Sequence, residues 1–209
     1  MSAMKILLAS HNKNKIAELE ALLKPICPSA KVVSLSDIGF TDEIVEDGET
    51  FTENALIKAR TGARLGYITV ADDSGLVVDA LGGAPGVYSA RYAGKDADTE
   101  KNNAKLLRAL DGVPRERRTA HFVSVVACVF PDGREDIVVT GECPGEILTS
   151  PRGETGFGYD PLFYFAPYEK TFAEMSAAEK NAVSHRGAAM RAFAKEFAKL
   201  KFEDNYADR

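Results

Sequence analysis

A short unbroken apolar run, Ile6-Leu7-Leu8-Ala9, is followed by a polar stretch and then by Ile16, Leu19, Leu22 and Leu23 at helical spacing. The run predicts a buried strand over residues 6–9 and the spacing a helix over 15–23, closed by Pro25 and Pro28. A second strand is expected over 31–35, ahead of an acidic loop carrying Asp42, Glu43, Glu46, Asp47 and Glu49. Thr50 and Glu53 have the spacing of a capping box, in which each side chain satisfies the other residue's free backbone N–H. A helix should therefore start there and reach about residue 65. Residues 68–71 read as a third strand, broken by Asp72-Asp73-Ser74-Gly75, after which 76–78 can resume extended structure.

Beyond a glycine-rich loop over 82–94, a helix is expected over 99–110. Residues 121–130, dense in Val, Phe and Cys, and 135–140 flank Pro131-Asp132-Gly133-Arg134 and predict a long hairpin. Added to strand–helix–strand units, a hairpin makes the sheet mixed. Residues 141–158 read as loop and 162–165 as a short strand, and Ser176 with Glu179 forms a second capping box. The last helix should run from Ser184 to about 200, with Phe193, Phe197 and Leu200 on one face. With no internal repeat and no low-complexity linker, the pattern describes one α/β domain over 1–209. Its expected form is an elongated mixed β-sheet flanked by helices, in two lobes with a central cleft.

Composition narrows the function classes. With 45% apolar residues the chain of 209 can bury a full core, which excludes disorder. Lys plus Arg number 26 against 31 for Asp plus Glu, so a net charge of −5 disfavours coating of nucleic acid or anionic membrane; an anionic ligand must meet a local basic site. Cys27, Cys128 and Cys143 are odd in number and lack C-x-x-C spacing, indicating neither a disulfide framework nor a zinc site. The first apolar segment is too short for a signal or a span and no long apolar run follows, so a cytoplasmic protein is expected.

The turn Ser10-His11-Asn12-Lys13-Asn14-Lys15 lies between the first strand and the first helix. There, free N–H groups and the helix dipole attract anions, and Lys13 and Lys15 add cations, so the turn suits phosphate although it lacks both P-loop and dinucleotide fingerprints. Adjacent carboxylates on extended backbone point in opposite directions, so one of Asp72 and Asp73 can face a cleft while the other serves as a cap or hydrogen-bond acceptor. An aspartate joined by an acid from the Glu46/Asp47 loop is hard oxygen chemistry suited to Mg²⁺, which takes one or two carboxylates, waters and substrate phosphates. Gly153 to Asp160 frames Phe157 and Tyr159 with glycines, letting a planar base approach and stack. Lys180, His185 and Arg186 gather at the junction of the last two helices, where they can present donors to a polar ligand edge.

In this order, these segments resemble the inosine triphosphate pyrophosphatase family, which hydrolyses non-standard purine nucleoside triphosphates such as ITP, dITP and XTP to monophosphate and pyrophosphate. The likeness covers nearly the whole chain. Besides the first turn it is carried by Thr50-Phe51-Thr52-Glu53-Asn54-Ala55 with Lys58, by Ala71-Asp72-Asp73-Ser74-Gly75-Leu76, and by Gly82 through Tyr92. Gly156-Phe157-Gly158-Tyr159-Asp160-Pro161 and Ser184-His185-Arg186 complete it. The resemblance implies triphosphate binding by Ser10, Asn12 and Lys15, with His11, Lys13 and Asn14 in the same turn, although Asn14 stands where many members carry glycine. It implies a magnesium- and water-activating carboxylate at Asp73, a substrate contact at Ser74, and nucleotide contacts at Phe157, Gly158, Tyr159, Asp160, Lys180, His185 and Arg186. The second metal-associated acid is Glu46 or Asp47, and motif alignment favours Glu46. A homodimer is also implied.

Water attacking the α-phosphorus with pyrophosphate leaving needs charge neutralised on the departing oxygens and a positioned, deprotonated nucleophile. Lys15, Lys58 and Mg²⁺ can supply the first, and Asp73 the second. Donors on Lys180, His185 and Arg186 suit the six-oxygen of hypoxanthine or xanthine and oppose the six-amino group of adenine, so ATP should be a poor substrate. Two alternatives are a pyrophosphatase for modified pyrimidine triphosphates and a non-catalytic nucleotide-sensing module. Lys15, Asp73 and the acidic partner speak against the latter.

Overall fold

A computed structural model describes residues 4–10, 13–95 and 98–200. Strands β1 (Lys5–Leu8), β2 (Lys31–Ser34), β3 (Ile68–Val78), β4 (Thr119–Val129), β5 (Ile137–Ile147), β6 (Phe163–Phe165) and β7 (Lys170–Thr171) form one sheet in the order β2-β1-β3-β4-β5-β6-β7. The sheet is mixed: β1 runs parallel to β2 and β3, with Ile6 opposite Val32 and Ile68, whereas β6 pairs antiparallel with β5 and β7. The helices are α1 (Lys13–Leu23), α2 (Phe51–Arg64), α3 (Thr99–Ala109), α4 (Ala177–Val183) and α5 (His185–Phe197).

The chain forms two compact units. The first comprises Met1–Asp73, Val125–Thr140 and Ala189–Arg209. Ile6, Leu8, Leu19, Leu23, Val70, Val126, Phe193 and Phe197 make its core, each side chain contributing roughly 1.5–3 kcal/mol by leaving water. The second comprises Ser74–Ser124 and Gly141–Ala188. Its core is aromatic: Phe122 packs on Phe163 and Phe163 on Phe172, at ring separations of 4.6 and 4.8 Å, beside Leu76 and Leu106.

Both expected capping boxes form. The Thr50 hydroxyl accepts from Glu53 N–H at the start of α2, and Ser176 accepts from Glu179 N–H at the start of α4. The Phe193, Phe197 and Leu200 face of the last helix packs into the first core.

Four expectations change. Asp72-Asp73-Ser74-Gly75 does not interrupt the third strand, which runs unbroken through Ile68–Val78. The polar tetrad survives inside a central strand because its side chains find partners: Lys15 on Asp72, Lys58 on Asp73 and Ser124 on Ser74. Strand β5 continues through Gly141 to Ile147, where a loop was expected, and the glycine-rich loop contains a 3₁₀ helix over Gly86–Arg91. Lys13, Asn14 and Lys15 belong to the first turn of α1 rather than to the turn ahead of it; His11 and Asn12 lie outside the described residues.

Candidate active site

In the first unit, the alternation of β3 sends Asp72 and Asp73 in opposite directions, and each meets a different lysine. Both carboxylate oxygens of Asp72 accept from Lys15 Nζ, at 2.7 and 2.9 Å. Asp73 Oδ1 accepts from Lys58 Nζ at 3.3 Å, and the same ammonium donates to Glu46 Oε2 at 2.7 Å. Two acids thus share one cation. Asp47, the other acid considered for this position, is exposed.

Local structure sets this triad. Lys58 lies two turns into α2, and the loop carrying Glu46 is tied to the first turn of that helix. Gly48 N–H donates to Asn54 Oδ1 at 2.9 Å, and Glu49 N–H to Glu53 Oε2 at 2.7 Å. Gly48 has no room for a side chain: a Cβ there would press on Glu53 and Asn54. Asn54 is itself buried; its Oδ1 holds the loop, and its side chain also hydrogen-bonds to Asp73.

Burial pushes the Asp73 carboxyl above its ordinary range; Lys58 pulls it down and Glu46 pushes it up again. A carboxylate tuned toward neutral pH suits a general base. Asp73 Oδ2 is buried, and besides Lys58 the Asn54 side chain acts on this carboxylate as a hydrogen-bond donor that lowers its pKa. With Glu46 as a second oxygen donor, this pair fits Mg²⁺, which needs only one or two carboxylates beside water and phosphate. Among the described residues no larger cluster of metal-ligating side chains occurs.

The second unit holds a cavity of about 510 Å³, within the size of small-ligand sites. Ser74, Ser89, Phe122, Phe157, Gly158, Tyr159, Asp160 and His185 contribute to its lining. Phe157 is 74% exposed, so its ring is presented rather than tucked into the core, with Lys180 Nζ over one face at 4.5 Å. Buried Asp160 accepts from Phe157 N–H at 2.8 Å and from Lys180 Nζ. Gly156 has a left-handed φ of 82°, and a Cβ there would collide with the Asp160 carboxylate, so the turn requires glycine. Tyr159 is buried and donates its hydroxyl to the Ser89 carbonyl at 2.8 Å. Burial pushes that phenol well above its ordinary range, and the residue braces the loop while lining the cavity. His185 stacks on Phe122 at 4.7 Å, while Ser184 caps α5 by accepting from Gly187 N–H at 3.1 Å.

The expected residues therefore fall into two groups: Ser10, Lys15, Glu46, Lys58 and Asp73 in the first unit, and Ser74, Phe157, Gly158, Tyr159, Asp160, Lys180, His185 and Arg186 in the second. Arg186 is half-buried and does not line the cavity. Sequence reading missed the partner of Lys15 at Asp72, the loop tie from Asn54, and the Ser89 carbonyl that holds Tyr159. The adjacent acids and the polar residues inside helices were the available signals, since such residues gain from side-chain partners what they lose in propensity.

A family model described as the Ham1 family matches residues 6–196. A dITP/XTP pyrophosphatase of Leuconostoc mesenteroides is 54% identical over 195 residues, covering 92% of this chain and 96% of that protein. The solved structure of the Staphylococcus aureus Ham1 protein matches with a TM-score of 0.88 at 39% identity, over 94% of this chain and 100% of that one. A Mycobacterium abscessus structure described as a nucleoside-triphosphatase / dITP/XTP pyrophosphatase matches with a TM-score of 0.79 at 49% identity, over 91% of this chain and 98% of that one. No helix of the described residues is long and apolar enough to cross a membrane. On sequence and fold together, the chain belongs to the Ham1 family.

Proposed function

We infer that the protein is a nucleoside-triphosphate pyrophosphatase that hydrolyses dITP, XTP and ITP to the monophosphate and pyrophosphate, clearing non-standard purines from the nucleotide pool. The names of its relatives support the substrate class. The observation that carries the chemistry is Asp73, a buried carboxylate raised above its ordinary range, with Oδ1 on Lys58 and the Asn54 side chain beside it. Such a group can accept the proton of an attacking water. Lys58 then holds the carboxylate in orientation, and Lys15 with the first turn of α1 offers positive charge to the leaving pyrophosphate. Asp73 and Glu46 would hold a magnesium ion, which would supply charge neutralisation on phosphate oxygens and a lower pKa for water.

In the second unit, the exposed ring of Phe157 suits stacking on a purine, with Gly158, Asp160, Ser74 and His185 at the cavity wall and Lys180 held against Asp160. Arg186 does not line this cavity, and its part in selecting the six-oxygen rests on its donors and on the family resemblance alone. The family resemblance adds a homodimer, and the short apolar runs of the sequence favour the cytoplasm. A panel of ITP, dITP, XTP, ATP, GTP and modified pyrimidine triphosphates, assayed with Mg²⁺ for pyrophosphate release, tests the whole assignment. Preferential turnover of the first three is expected; efficient turnover of ATP or of the pyrimidines would overturn the substrate class.

A further inference from the structure

Helix α3 holds two of the segments that line the cavity of the second unit, and it does so with neighbouring asparagines. Asn102 is buried; its Oδ1 accepts from Ala93 N–H at 2.7 Å and its Nδ2 donates to the Ala90 carbonyl at 3.1 Å. Asn103 donates from Nδ2 to the Gly158 carbonyl at 3.1 Å, while its buried Oδ1 has no hydrogen-bond partner among the described residues. Ala90 and Gly158 both line the cavity. Asparagine is a poor helix former because its amide competes for backbone groups, so two in succession inside a helix are retained for what their side chains hold. Gly158 lacks a Cβ and sits in the left-handed region at φ 60°, so its own sterics constrain the peptide little. The direction of its carbonyl is set by Asn103.

We propose that Asn103 is a positioning residue for purine recognition: through the Gly158 carbonyl it fixes the loop that presents Phe157, while Asn102 fixes the segment around Ala90. The proposal rests on the reading of this cavity as the base site. Asn103 acts on the loop, since its hydrogen bond goes to the Gly158 carbonyl and not to Lys15, Lys58 or Asp73.

Two variants separate positioning from general stability. Asn103→Asp keeps the shape and turns the donor into a carboxylate facing a carbonyl oxygen; Asn103→Leu removes both polar atoms. Each should raise KM for ITP by roughly 2- to 10-fold, the loss of about one hydrogen bond, with kcat little changed. Inhibition by inorganic pyrophosphate, a ligand without a base, should be unaltered. Combined with Phe157→Ala, the Asn103→Asp effect should be less than multiplicative, since both act through one loop. The proposal is overturned by an unchanged KM for ITP in Asn103→Asp, by pyrophosphate inhibition weakening in step with KM, by multiplicative effects in the double variant, or by failure of the isosteric Asn103→Asp to fold. A parent protein that hydrolyses no purine triphosphate would instead overturn the functional reading, and this one with it.

Discussion

Lys58→Met keeps the length of the side chain and removes the charge shared by Glu46 and Asp73. The ammonium lies 3.3 Å from Asp73 Oδ1, with side chains only 12% and 16% exposed. At that distance and an effective dielectric near 20, the attraction is about 5 kcal/mol before desolvation is counted. The pair with Glu46, at 2.7 Å, contributes less than its distance suggests because Glu46 is 35% exposed and can turn to water. Without Lys58 the two carboxylates repel, and Asp73, already raised by burial and by Glu46, loses the main influence that lowers it. More of it is then protonated at neutral pH, so the acid limb of the pH–rate profile should move to higher pH. Loss of a preorganised electrostatic contact in the active site should lower kcat by about 10²–10³-fold. Removing one partner of a buried pair costs about 3–5 kcal/mol, here moderated because Asp73 can take up a proton and Glu46 can be hydrated. Pyrophosphate release from ITP measured across the pH range, with thermal melting by circular dichroism, checks both effects. Parent-like kcat/KM with an unmoved acid limb would refute the role of Lys58.

Lys15→Ala should weaken binding of triphosphate and pyrophosphate more than of monophosphate. It should also destabilise the fold by about 1–3 kcal/mol, because the largely buried Asp72 carboxylate loses its bidentate partner; competitive inhibition constants and melting temperature report the two. Phe157→Ala should cost about 1–3 kcal/mol of binding for ITP and ATP alike, since every base has a π-face, whereas Arg186→Ala should narrow the ratio of their kcat/KM values; steady-state kinetics on both substrates decides. Asp73→Asn should nearly abolish turnover, lost acid–base assistance alone being ~10²–10⁴-fold, and yet stabilise the fold at neutral pH. The raised carboxyl favours the folded state only while protonated, so the parent loses stability as pH rises through the folded-state value and the variant does not. The difference in melting temperature should therefore vanish in acid.

Local signals were the legible ones. Thr50 with Glu53 and Ser176 with Glu179 announced two helix starts because a capping box is complete within four residues of chain. Apolar periodicity located the helices, the last of them through Phe193 and Phe197. What failed was the interior of β3, where Asp, Ser and Gly read as a break. Their partners, Lys15 at 57 residues' separation and Ser124 at 50, cannot be seen in a short window. The same distance in sequence hid the tie between Tyr159 and Ser89, which converts an apparent stacking surface into a buried brace. The exposure of Phe157 is likewise not legible in the sequence, because a glycine-flanked aromatic suits a core as well as a ligand. The sequence already favoured Glu46 over Asp47; only the ion pair of Glu46 with Lys58 had to come from the fold.

Hydrolysis of ITP in ¹⁸O-labelled water, with the products resolved by phosphorus NMR and mass spectrometry, tests the central claim most directly. Attack of water on the α-phosphorus requires the label in inosine monophosphate, unlabelled pyrophosphate as the other product, and near-complete loss of both in Asp73→Asn. Inosine diphosphate with labelled inorganic phosphate, or label in the pyrophosphate, would contradict it.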